Sequence, residues 1–249
     1  MITLNIEVES SRGLVRKKNE DMILVSTKMV RDSSLMTKVL LNDNDRYIIA
    51  VADGIGGNLS GEVASEIVAF DIASFFKTLP SGLAFGDLKS FFKSWIEKEN
   101  DKLIVQGDED ENLRGMGTTM VCLIVYETKV LWLNCGDSRI YRFRKGFLVQ
   151  LSTDHSLAEM TGIKRYSNVI CNSIGAGASA FFDMEDISMC VFNGDTFLLC
   201  SDGLSNMLSD DKLESLLNEK KPVNEFVHSA CDAGGKDNIS ICLIHFELK

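Results

Sequence analysis

An α+β sandwich is the fold class the sequence predicts, with two antiparallel β-sheets packed together and helices outside. Two observations carry it. Apolar, strand-like segments follow one another across short turns between Thr118 and Leu151, with no helix between them, and that spacing requires antiparallel pairing. Two long segments between Ser60 and Leu103 repeat their apolar residues every three or four positions, and helices of that kind need a sheet face to cover. With 249 residues, two prolines and no Pro-rich linker, residues 1–249 are read as one domain.

The elements follow in order. Leu4–Val8 alternates apolar and polar like a strand, and Met22–Ser26 and Tyr47–Ala52 read as apolar strands. Lys28–Arg46, mixed and polar toward its end, is expected to be a loop with a hairpin bend. From Ser60 a helix runs to Pro80 with Ala64, Ile67, Val68, Ile72, Phe75, Phe76 and Leu79 on one face. A second helix starts near Asp87 and presents Leu88, Phe91, Phe92, Trp95, Ile96 and Leu103. Strands are expected over Thr118–Tyr126, Val130–Leu133, Arg139–Arg144, Phe147–Leu151, Ile187–Phe192 and Thr196–Cys200. Helices over Asp210–Leu217 and Asn224–Ala233 and a closing strand over Ile239–Phe246 complete the pattern.

A formal net charge of -10 argues against a nucleic-acid or anionic-membrane surface, whose affinity would rest on Lys and Arg. No stretch approaches the length of a membrane span, and the opening MITLNIEVESSRG lacks the basic start and apolar run of a signal peptide. A cytoplasmic location is expected. Seven cysteines without a C-x-x-C pair, and only three histidines, speak against a disulfide framework or a zinc site.

The chemistry is carried by acids at strand ends. Asp53 ends YIIAVAD and precedes Gly54; Asp202 ends TFLLCSD and precedes Gly203. Asp237 stands in GGKDN ahead of the last strand, and Glu20 and Asp21 open the second strand. Asp-Gly is a common turn pair and Asp a common helix cap, so each taken alone has a purely structural reading. Together they share one placement, at the ends of buried strands, where a carboxylate must be paired or must bind a cation. No Lys or Arg adjoins Asp53 or Asp202, and oxygen ligands without His or Cys favour Mg²⁺ or Mn²⁺. The glycine-rich VADGIGGNLSGEVAS is no phosphate loop. Gly56 and Gly61 have the Walker A spacing, but Glu62 replaces the lysine and Val63 the Ser/Thr. A dinucleotide fingerprint starting at Gly54 and Gly56 fails at Leu59.

In order and across nearly the whole chain, eight segments resemble the motifs of the type 2C metal-dependent Ser/Thr protein phosphatases, in particular the bacterial stand-alone members. They are RKKNED (Arg16–Asp21), the Asp-Gly loop, GMGTT (Gly115–Thr119), GDSRIYRFRKG (Gly136–Gly146), LSTDHS (Leu151–Ser156), NSIG (Asn172–Gly175), CSDGL (Cys200–Leu204) and GGKDNIS (Gly234–Ser240). The resemblance implies an αββα sandwich with the metal centre in a cleft at one end. Asp53 would bridge two Mn²⁺ or Mg²⁺ ions, the Gly54 carbonyl would ligate one, and Asp202 and Asp237 would complete the other site. Glu20 and Asp21 would hold metal-bound waters, directly or from behind, and Asn238 would support the loop. Arg16 would clamp the substrate phosphate, a task its planar fork suits better than lysine would. Attack by a metal-bridging water on phosphoserine or phosphothreonine, without a phosphoenzyme, is the implied reaction. The implied partners are phosphorylated proteins made by a Ser/Thr kinase of the same cell, and monomer is the expected state.

Other motif residues read as structural: Asp137 and Arg139 as fasteners of a strand turn, Thr118 and Thr119 as packing or capping groups, and His155 as a satisfied loop histidine. The chain also departs from the family. Neither Ile55 nor Asn58 is the histidine that many members carry there, so the leaving group's acid is unassigned. Asn206 replaces an aspartate that some members use for a third ion. Arg114 lies near another such position, with Glu111 the nearest acid before it, so two ions are expected and a third is left open. Only LAEMTGIKRYS separates Ser156 from Asn168, a flap shorter than usual, which implies an open cleft; its Lys164 and Arg165 face a choice between greeting a phosphopeptide and simple solvation.

Overall fold

Strands β5 (Arg46–Ala52), β8 (Met120–Tyr126), β13 (Thr196–Cys200) and β14 (Ile239–Leu248) are near-continuous apolar runs because both of their faces are buried. In β8, Met120, Cys122, Ile124 and Tyr126 face one core while Val121, Leu123 and Val125 face another. In β14, Ile239, Ile241 and Leu243 point outward to helices while Cys242, Ile244 and Phe246 point between the sheets. The period of two therefore divides each strand between two apolar layers, and each large side chain fully buried contributes roughly 1.5–3 kcal/mol. Three cores result, and the order is helices, sheet, sheet, helices.

The computed structural model describes residues 1–56, 60–163, 166 and 169–248. With β1 (Ile2–Ser11), β4 (Ser34–Leu41), β10 (Arg139–Arg144) and β11 (Phe147–Gln150), one sheet runs β11-β10-β13-β14-β1-β4. With β2 (Met22–Val25), β3 (Lys28–Val30), β9 (Lys129–Cys135) and β12 (Asp183–Asp186), the other runs β12-β9-β8-β5-β2-β3. A short ribbon pairs β6 (Gly54–Ile55) with β7 (Gly117–Thr118). All these pairings are antiparallel, as the short connections require. Helices α1 (Ser60–Thr78) and α2 (Phe85–Glu109) cover the second sheet. Helices α4 (Asp202–Ser205), α5 (Asp210–Asn218) and α6 (Val223–Asp232) cover the first, and α3 (Leu157–Thr161) is a single short turn.

Three expectations are corrected. Lys28–Arg46 is not a loop: it holds β3 and the edge strand β4, whose alternation leaves Met36 and Leu40 exposed while Leu35 and Val39 pack inward. An edge strand with one solvated face carries too little apolar weight to stand out in its sequence. Ile187–Phe192 is not a strand: pairing with β9 comes earlier, through Asp183–Asp186. The Asp186 carboxylate then accepts from the Ser188 backbone N–H at 3.0 Å and turns the chain into a 3₁₀ turn over Ser188–Cys190. Phe91, placed by periodicity on the buried face of α2, is 39% exposed, because its neighbour Phe92 takes the inward direction. No helix among the described residues is long and apolar enough to cross a membrane.

Candidate active site

Antiparallel pairing explains why the acids meet. Where strands run in opposite directions, the residue after one strand lies beside the residue before its neighbour. Met22 pairs with Ala52, which sets Asp21 next to Asp53. Cys200 pairs with Ile241, and the Ser201 N–H donates to the Ser240 carbonyl at 3.1 Å, which brings Asp202 to the loop carrying Asp237. Stacking the sheets joins the two pairs at one end of the sandwich. Arg16, Glu20, Asp53, Asp202 and Asp237 line a cleft there of about 620 Å³, together with Lys236.

The backbone of Asp53 is fixed by the GMGTT segment. Its N–H donates to Thr119 Oγ1 at 3.1 Å, and its carbonyl accepts from the Thr119 N–H and from Thr118 Oγ1, both at 2.9 Å. Gly54 has no room for a side chain, since a Cβ there would lie 2.2 Å from the Gly61 carbonyl oxygen and 2.5 Å from that of Glu20. Gly203 is tighter still, with a Cβ falling 1.9 Å from the Asn238 carbonyl oxygen. Asn238 staples its own loop to the Arg12–Glu20 loop at three points. Its Oδ1 accepts from the Glu20 N–H at 2.8 Å, and its Nδ2 donates to the carbonyls of Arg12 at 3.0 Å and Lys18 at 2.8 Å.

Crowding of like charges dominates the electrostatics. Asp53 is half-buried yet walled in by protein; burial first, then Asp21, Asp202, Asp137 and Asp237, raise its carboxyl well above the usual range. Burial pushes Asp21 up to about 7, although Ser201 Oγ donates to its Oδ2 at 2.7 Å. Asp202 is raised by burial and by Asp237. Arg16 donates through Nη2 to Asp237 Oδ2 at 2.6 Å, and that bond, with the charges of Glu20 and Asp53, raises the guanidinium pKa.

One acid beside the site was read as purely structural. Asp137 is 4% exposed, its Oδ1 has no hydrogen-bond partner, and burial followed by the charges of Asp202 and Asp154 pushes it up to about 7. It also raises Asp53. The signal was in the sequence: VLWLNCGD is another apolar strand running into glycine and an acid. Lys236, inside GGKDN, also lines the cleft, as do Ile170 and Met207, and no motif singles them out. Asn206 donates from Nδ2 to Asp202 Oδ2 at 3.0 Å. Arg139 forks onto Asp154 at 2.7–3.0 Å. His155 is buried and is not among the residues lining the cleft: its Nδ1 faces the Gly136 N–H at 3.1 Å and Asn172 Nδ2 at 2.7 Å, and its Nε2 meets Asp183 at 3.2 Å. Asn58, Lys164 and Arg165 lie outside the described residues.

The donor set suits a hard cation: it is all oxygen, and the orphaned Oδ1 atoms of Asp21 and Asp137 are acceptors with nothing to accept from. Among the described residues no group of three or more His, Cys, Asp and Glu side chains is arranged to hold a metal ion by itself. The acids raise one another and so lie within electrostatic reach, and a cation here would face several carboxylates and complete its shell with water.

The family model for protein phosphatase 2C matches residues 29–239. The chain belongs to the protein phosphatase 2C family. It is an enzyme of the protein serine/threonine phosphatase class. The serine/threonine phosphatase stp of Listeria monocytogenes is 29% identical over 260 residues, covering 98% of this chain and 97% of that one. The serine/threonine phosphatase of S. agalactiae superposes with a TM-score of 0.82 at 26% identity, covering 99% of this chain and all of that one. The catalytic domain of the phosphatase PstP, solved in complex with 2 manganese ions, superposes with a TM-score of 0.75 at 25% identity over 100% of both chains. These phosphatases share the two antiparallel sheets with flanking helices, so the cleft of this family member sits on a scaffold of bacterial protein phosphatases.

Proposed function

We propose that this phosphatase hydrolyses phosphoserine and phosphothreonine in proteins with divalent metal, opposing a Ser/Thr protein kinase of the same cell. The observation that carries the reading is the convergence of Glu20, Asp53, Asp202 and Asp237 on one cleft, with Asp21 beneath them and Arg16 at the rim. Residues 1–249 act as one catalytic domain. Asp53, Asp202, Asp237 and the Gly54 carbonyl are the proposed holders of two Mn²⁺ or Mg²⁺ ions, with Glu20 and Asp21 acting directly or through water; a neighbour of the same fold was solved with manganese. Bound divalent ions lower the pKa of water and neutralise phosphoryl charge.

The chain's own groups then divide the work. Arg16 binds and orients the phosphoryl oxygens with its fork. Asn238 and the Thr118–Thr119 pair hold the backbones that carry Glu20 and Asp53. No Ser, Thr, Cys or His is among the described residues that line the cleft, which supports direct attack by water rather than a phosphoseryl, phosphocysteinyl or phosphohistidyl enzyme.

Purified protein is assayed on p-nitrophenyl phosphate and a phosphothreonine peptide with Mn²⁺, with Mg²⁺ and with EDTA, beside Asp53→Asn. Metal-dependent turnover that EDTA and the substitution both abolish is the expected result. A folded protein without turnover on either substrate would instead be a phosphatase-like binding module.

A further inference from the structure

The cleft adjoins a second cavity. Ile55 and Ile170 line the acidic cleft and also line a neighbouring cavity of about 160 Å³, bounded further by Cys171, Ala176, Gly177 and Ser179. The shared wall is close to the chemistry: Ile55 is two residues from Asp53, at most about 7 Å along the chain.

The two cavities differ in character. Acids, Arg16 and Lys236 line the first, whereas no Asp, Glu, Lys or Arg is among the described residues lining the second. Asn172, also on its wall, has its amide committed elsewhere. Nδ2 donates to the Phe181 carbonyl at 2.7 Å, and Oδ1 accepts from the Phe181 N–H at 3.0 Å. Ser173 and Ser179 add hydroxyls to the wall but no charge, so a charged side chain entering there would lose water and meet no opposite charge, while an apolar one would leave water to rest on Ile55, Ile170 and Ala176.

The cavity is also pre-formed. Ile174 bridges Thr118, the Gly175 N–H donates to Asn100 Oδ1 at 2.8 Å, and Asn100 Nδ2 donates to the Gly177 carbonyl at 3.2 Å. These bonds pin its wall to β7 and α2, so little ordering remains to be done on binding. Its size matches one side chain, since a cavity of ~150 Å³ holds a benzene molecule.

We infer that this cavity receives one uncharged, apolar side chain of the substrate, from a residue flanking the phosphorylated one, and so selects among phosphoproteins. The inference rests on the phosphatase reading of the cleft. A peptide whose phosphoryl group lies among the carboxylates has its neighbouring residues within one or two steps of about 3.5 Å, which is the reach of the Ile55–Ile170 wall.

The test uses the full chain with Mn²⁺ and a set of phosphothreonine peptides carrying Leu, Phe, Asp or Lys at each flanking position. Two cavity-filling variants, Gly177→Phe and Ser179→Phe, accompany it. Gly177 tolerates a side chain, because a Cβ there would meet only Ser179 O, at 3.6 Å. p-Nitrophenyl phosphate, which has no flanking residue, reads the cleft alone. At one flanking position the unaltered enzyme is expected to favour Leu or Phe over Asp and Lys by about tenfold in kcat/KM. Each variant should erase that preference and lower the peptide to p-nitrophenyl phosphate ratio by a similar factor. The subsite is overturned if no position discriminates, if the preference survives both variants, or if both substrates lose rate in parallel. Absence of turnover on p-nitrophenyl phosphate by the unaltered enzyme would instead sink the phosphatase reading, and the subsite with it.

Discussion

Arg16 and Asp237, 221 positions apart in the chain, form a 2.6 Å ion pair at the rim of the cleft. The guanidinium proposed to take the substrate phosphate thus already neutralises one of the crowded acids. Both side chains are partly exposed, at 51% and 34%, so opening the pair costs little and the arginine is free to change partners. Arg16→Ala is expected to lower kcat/KM on a phosphothreonine peptide roughly 10- to 100-fold, the worth of a charge-assisted hydrogen bond of ~1.5–3 kcal/mol. Arg16→Lys should recover only part, because a point charge cannot match two phosphoryl oxygens at once. Steady-state kinetics decide it, and an alanine variant as active as its parent would remove Arg16 from phosphate binding.

Asn238 is the residue whose loss should loosen the site mechanically. Alanine there leaves the Glu20 N–H and the carbonyls of Arg12 and Lys18 without their partner. Each of these three partly buried hydrogen bonds contributes ~0.5–1.5 kcal/mol, so a total of about 2 kcal/mol is expected. For a domain of this size that is a fall in Tm of roughly 4–8 °C, readable by calorimetry. Asn238→Asp should lie near the alanine variant, because it keeps an acceptor for Glu20, loses both donated bonds and adds a charge beside Asp237. A Tm within 2 °C of the parent for Asn238→Ala would mean that the two loops hold together without it.

The sequence made some of this legible and hid the rest for identifiable reasons. β5, β8 and β14 stood out because both of their faces are buried, and α1 because its apolar stripe is wide. β4 and β12 lie at sheet edges, where one solvated face dilutes the pattern. The positions of Asp53, Asp202 and Asp237 could be anticipated because strand-end acids next to glycine share one local pattern. The Arg16–Asp237 pair could not, since it depends on β1 pairing with β14 from the far end of the chain, nor could the nearness of Asp137 to Asp202, which depends on how two sheets stack; no local rule encodes either register. Ile170 is a further case: it reaches the cleft wall through an isolated bridge to Ser156, not through any element with a periodic signature.

Asp53→Asn should separate activity from stability. Asp21, Asp202, Asp137 and Asp237 all disfavour a charge at position 53, so a neutral amide of the same shape relieves repulsion. Turnover is expected to vanish with either metal, while the Tm in EDTA rises, at roughly 2–4 °C per kcal/mol of repulsion relieved. Added Mn²⁺ should raise the Tm of the parent, since binding stabilises only the folded form, and raise that of the variant much less. A variant both inactive and less stable in EDTA would recast Asp53 as a structural carboxylate.

A pH-dependent contribution to stability sits far from the cleft, between α1 and α2. Glu99, on α2, is almost fully buried; Lys102 Nζ donates to its Oε1 at 3.2 Å and also to Asp71 on α1. Burial first, and then the Asp71 charge, push Glu99 from 4.5 up to about 7, with Lys102 only partly opposing them. The folded protein therefore holds a proton on Glu99 between pH 4.5 and about 7 that the unfolded chain has released. Where the folded state binds more protons, stability falls as pH rises, so this contribution is present below pH 4.5 and lost through about pH 7. Glu99→Gln keeps a neutral group at every pH; its amide can donate to Asp71 and its carbonyl can accept from Lys102. The variant should match or trail its parent near pH 4.5 and exceed it above pH 7 by about 1 kcal/mol, allowing for partial solvent screening. That corresponds to roughly 2–4 °C in Tm. Melting curves of the two proteins across this range, in EDTA so that the cleft contributes equally to both, test the assignment. Parallel Tm–pH curves would show that Glu99 ionises in the folded protein as readily as in the unfolded chain, and that Lys102 compensates the burial in full.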